Sequence, residues 1–132
     1  MMRIERLSVE DYATTPSELT VVSCMKGYLR SMSEQEALQK LSKIFKPKII
    51  RLNGESGVPL PVQSVVEGAK LAAFIDDAVA DSIERLESRE NDMSQVVAAV
   101  LKNIDGKHFV ETMSVEVIQF IADAYRALKY LE

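Results

Sequence analysis

A chain of 132 residues is long enough for one domain that buries a core without disulfide or metal staples. Its 47% hydrophobic and 27% charged residues exclude a disordered chain, and 6% aromatics, no Trp and six Met suit a helical core better than a β-sandwich. The net charge of −4 divides into about +2 over residues 1–60 and −6 over residues 61–132, which argues against nucleic-acid binding through the acidic half.

One cysteine, Cys24, allows neither an internal disulfide nor an all-cysteine metal cluster. Charges in Met1-Met2-Arg3-Ile4-Glu5-Arg6 stand where a signal peptide carries its apolar stretch, and no apolar run approaches a membrane span. The expectation is a cytoplasmic protein.

Met2–Leu7 alternates weakly, as a short strand or ordered arm, and Ser8-Val9-Glu10-Asp11 reads as a cap and one helical turn. Thr14-Thr15-Pro16-Ser17-Glu18 predicts a helix to about Ser31, with a capping hydroxyl, an early proline and a first-turn carboxylate. Val21, Val22, Met25, Tyr28, Leu29 and Met32 form its inner side. Ser33 and Glu36 fit a capping box, and the helix they open buries Ala37, Leu38, Leu41, Ile44 and Phe45 before Lys46-Pro47 stops it. The two helices have almost no linker and should form an antiparallel or sharply angled pair.

Residues 48–60 are the least helical stretch. Ile49–Leu52, Asn53-Gly54 and Val58-Pro59-Leu60 predict a loop or a small hairpin. A long helix is expected over Pro61–Arg89, then one capped by Asn91-Asp92 with Met93, Val97, Val100, Leu101 and Ile104 inward and Gly106 as its stop. Thr112 or Ser114 opens the last, with Val117, Phe120, Ile121, Ala124, Leu128 and Leu131 in a stripe. Together these predict an all-α bundle of about five helices in a single domain, residues 1–132.

The long helix carries the sharpest functional clue. On a wheel of about 100° per residue, Val62, Val65, Ala69, Ala72, Ala73, Ile75, Val79, Ala80, Ile83 and Leu86 form a main face, with Asp76 inside it. Leu71, Phe74 and Ala78 fall on the other side, among Lys70, Asp77, Asp81 and Arg85. A helix apolar on two sides is either wrapped by its neighbours or presents the second side to a partner. Asp76 is then an edge residue, a buried charge that fixes register, or a catalytic or metal-binding carboxylate, the last without a second acid on the same face within one turn to support it.

Catalytic patterns are thin. Asp77, Asp81 and Glu84 line a helical face and read as a solvated stripe rather than a cation site. His108 is the one histidine and falls after the expected stop, so it reads as a loop residue. Nothing marks Cys24 as activated, and Gly54-Glu55-Ser56-Gly57 lacks the Gly-Lys-Ser/Thr of a phosphate loop. Lys43, Lys46, Lys48 and Arg51, with Phe45 between them, form the basic cluster.

The sequence therefore favours a non-enzymatic protein-binding module: an adaptor, assembly factor, chaperone or inhibitor, of a kind frequent among phage and mobile elements. It is expected to self-associate through the long helix at Leu71, Phe74 and Ala78, and to need no cofactor or metal. The alternative is a nucleic-acid-associated factor using residues 43–51.

Overall fold

Thr15 starts the first long helix from an extended backbone (φ −136°, ψ 159°), and its hydroxyl accepts the Glu18 N–H at 3.1 Å. Pro16 takes the first helical position, and helix α1 runs Pro16–Arg30. The structure, a computed structural model, describes residues 3–46 and 65–129. Ahead of α1, the chain makes two short 3-10 helices, Arg3–Arg6 and Val9–Tyr12, rather than a strand. Lys26 fastens them to α1 by donating from Nζ to the Leu7 carbonyl at 2.7 Å.

Helix α2, Glu34–Ser42, is capped by Ser33, whose Oγ accepts the Glu36 N–H. It ends three residues before Phe45 because the chain is then drawn into extended pairing. Lys46 donates to the Val65 carbonyl and Glu67 to that of Ile44, giving an antiparallel bridge between Phe45 and Val66. The β-branched Val66 suits that extended geometry. The long helix, α3, therefore starts late and spans Gly68–Glu87. The expected start at Pro61, the loop or hairpin at residues 48–60, and Lys48 and Arg51 lie outside the described residues.

Helix α4, Asp92–Leu101, is capped by Asn91, which accepts the Ser94 N–H at 2.8 Å. Gly106 does not end it. Asp105 accepts the Lys107 N–H, and Gly106 opens a short helix, α5, Gly106–Thr112, which places the exposed His108 on a helix instead of a loop. Helix α6 is Val115–Lys129. Among the described residues the fold is all-α, with six α-helices against about five expected.

Helix α3 packs against α1, α4 and α5, while α6 packs on α2 and the two 3-10 helices. Val21, Val22, Met25 and Leu29 of α1, Leu71, Ile75 and Ala78 of α3, and Val117, Phe120, Ile121 and Ala124 of α6 meet in one core. Burying such side chains is the main favourable term, at about 1.5–3 kcal/mol each for the larger ones. Tyr12 meets Phe120 nearly edge-on, with centroids 5.4 Å apart, and Phe45 lies 4.8 Å from Tyr125.

Candidate functional site

Helix α4 is packed with Met93 and its three valines outward. Ser94, Ala98 and Leu101 face the core, while Met93 is 73% exposed and Val96 and Val100 are each 59% exposed. Val97 is exposed as well. Met93, Val96, Val97 and Val100 recur at helical spacing and form one stripe. Met93, Val97 and Val100 were expected inward. The small side of α4 faces α3 because Ser94 and Ala98 permit a close helix–helix approach that methionine and valine would block. The sequence signal for this was the unbroken apolar run Val96–Leu101. A helix apolar almost all round has no periodicity to say which side is covered.

Val97 also lines a groove of about 380 Å³ between α1, α3 and α4. Leu19, Leu86 and Leu101 supply further apolar wall, and Thr20, Ser23, Cys24 and Ser82 supply neutral polar groups. Among the described residues, the charged ones lining it are Arg85 and Arg89. Arg85 lies 2.9 Å from Asp81 Oδ2 without hydrogen-bond alignment, and it donates to the Ser82 hydroxyl. Exposed Arg89 makes no ion pair with a described residue. Cys24 is buried at the groove floor, where burial pushes its thiol up, so it is held as the unreactive protonated form.

Leu71, Phe74 and Ala78 are not a second surface. All three are buried, Phe74 at 5% exposure with its ring 5.6 Å from that of Tyr28. The outward side of α3 instead carries Ala69, Ala73, Asp76, Asp77 and Ala80. The core face is turned by roughly a quarter of a circle from the expected one. Counting alanines equally with Leu and Phe displaced it, since alanine favours helix on either side whereas the large side chains need cover.

Asp76 is an exposed rim residue rather than a buried charge. Its Oδ1 accepts the Gly106 N–H at 2.8 Å, so it binds the first turn of α5 onto α3. Gly106 approaches so closely that a Cβ there would stand 2.3 Å from the Ala72 carbonyl oxygen and 2.7 Å from Asp76 Oδ1. That contact fixes the register between the two helices.

Of the basic cluster, Lys43 and Lys46 are exposed at the end of α2. Lys43 lines a groove of about 300 Å³ with Lys40, Lys70, Phe74 and Asp77. Lys40 lies over the Tyr28 ring and Lys70 pairs with Glu67, so two of the three cations are engaged within the fold. Among the described residues no group of three or more His, Cys, Asp or Glu side chains is placed to hold a metal ion, and no helix is long and apolar enough to cross a membrane.

No protein-family model matches the chain, and neither a curated protein nor a solved structure is similar enough to match it.

Proposed function

We propose that this protein is a non-catalytic protein-binding module whose contact surface is the outward stripe of α4 and the groove beside it. The observation that carries the reading is the orientation of α4, with Met93, Val96 and Val100 in solvent and Ser94 and Ala98 in the core. Leaving a methionine and three valines of one helix in water forgoes burial energy, and such a patch marks an interaction surface. The self-association once expected at Leu71, Phe74 and Ala78 has no surface there, so the contact is assigned to α4. The reading extends to an adaptor, assembly factor, chaperone or inhibitor acting in the cytoplasm, which a single reduced thiol suits.

The test compares the wild-type chain with a Met93→Asp, Val96→Asp, Val100→Asp variant for capture of host proteins and for mass in solution. Loss of a captured partner, or of a dimer, at unchanged helicity supports the reading. Identical capture and mass in both overturns it.

A further inference from the structure

We propose that the groove beside α4 receives an acidic amphipathic helix from a partner protein. Its apolar side rests on Val97, Leu19 and Leu86, and its carboxylates meet Arg89. The inference rests on the α4 reading above and adds the chemistry of the occupant. Apolar wall and stripe together match the helix-in-groove mode, in which anchors at i, i+3, i+4 and i+7 fill a trough. From i to i+7 such anchors span about 10 Å, within the length of ten-residue α4.

Charge selects the occupant. Among the described residues the groove's charged lining is two arginines and no carboxylate, on a chain whose net charge is −4. Arg85 is already balanced by Asp81, whereas Arg89 has no ion pair with a described residue. Screening confines the arginine field to about 8 Å in physiological salt, so acids must sit on the docking helix itself and not elsewhere on the partner. Guanidinium also binds carboxylate with two parallel N–H donors, which sets orientation as well as attraction. A second copy fits less well. In a symmetric dimer through this groove Arg85 and Arg89 would face the same two arginines of the copy, with no carboxylate among the described lining residues to meet them.

The experiment selects a displayed library of amphipathic helices on the full chain, with apolar anchors at i, i+3, i+4 and i+7 and flanks varied among Glu, Gln and Lys. Enriched helices are expected to carry Glu flanks, to weaken with added salt, and to bind Arg89→Glu at least about tenfold less tightly than wild type. Val97→Asp should also abolish binding, while thermal unfolding of both variants stays near wild type because both side chains are exposed. No enrichment, equal enrichment of Lys or Gln flanks, or binding indifferent to Arg89→Glu overturns the proposal. A concentration-dependent dimer lost in Val96→Asp gives the face to a second copy and also overturns it. Host partners that depend on Val96 and Val100 but not on Arg89 sink the acidic helix alone. Partners indifferent to all of α4 sink the protein-binding reading with it.

Discussion

Glu18 accepts both the backbone N–H of Ser114, at 2.7 Å, and its hydroxyl, at 3.1 Å, across 96 residues of sequence. The same carboxylate accepts the Thr14 N–H at 2.9 Å and the Thr14 hydroxyl. One side chain at the start of α1 thus satisfies the residue that leads into α6, and at 4% exposure it does so out of water. Burial alone pushes the carboxyl up, but the bonds from Thr14 and Ser114 outweigh it and hold the group below the usual value of 4.5.

Glu18→Ala should therefore cost about 2–3 kcal/mol, since it leaves two backbone N–H groups and two hydroxyls, all partly buried, without this acceptor. The ionised carboxylate stabilises the fold fully above pH 4.5, and that part is lost as pH falls through the lower folded value. Thermal melts of wild type and Glu18→Gln as a function of pH check this. The gap between them should be widest near neutrality and narrow in acid; a gap that widens in acid contradicts it.

Tyr12 is held by another carboxylate. Its hydroxyl donates to Asp123 Oδ2 at 2.8 Å, while Gln119 and Arg126 donate to Oδ1. Burial, then the Asp123 hydrogen bond and charge, push the phenol up to about 12. The neutral phenol stabilises the fold below pH 10, and that contribution disappears as pH rises through about 12. Ultraviolet titration should show a tyrosine step near that pH which Tyr12→Phe removes, with a stability loss of about 1 kcal/mol at neutral pH. A wild-type titration complete well below it would refute the assignment.

The contact between Gly106 and α3 makes a glycine-specific prediction. Gly106→Ala must push apart the Ala72 carbonyl and the new methyl, with an expected cost of about 1–3 kcal/mol. Asp76→Ala removes only the acceptor at a partly solvated site and should cost about 1 kcal/mol. Urea midpoints of the two variants and their combination test the link. The double variant should cost less than the sum, because the methyl already displaces the hydrogen bond. Strict additivity would mean that the two residues act independently.

The sequence made the capped elements readable because their signals are local. Thr15, Ser33 and Asn91 each accept the N–H three residues on, and the stripes of α1 and α6 need only a clear contrast between apolar and polar faces. Helix α3 was legible as an element but not in its rotation, since Ala69, Ala73 and Ala80 carry no information about side. Its true start depends on Val65 and Val66 pairing with the end of α2, a contact between segments distant in sequence. The candidate site was the least legible part. Arg89, Leu19 and Val97 come together only once α1, α3 and α4 are packed.

That difference between apolar residues which look alike in sequence sets the last prediction. Phe74 and Val96 both sit in apolar helical stretches, yet one is in the core and the other in water. Phe74→Ala should cost about 3–5 kcal/mol by removing a ring that packs on Tyr28. Val96→Ala should fall within about 0.5 kcal/mol of wild type, because it deletes methyls already hydrated and alanine favours helix. Ala98→Leu, on the inward side of the same helix, should cost about 1–3 kcal/mol by forcing α4 off α3. Chemical denaturation with constant slope measures all three. A Val96→Ala cost matching that of Ala98→Leu would mean that α4 packs with its valines inward, and the docking surface would go with it.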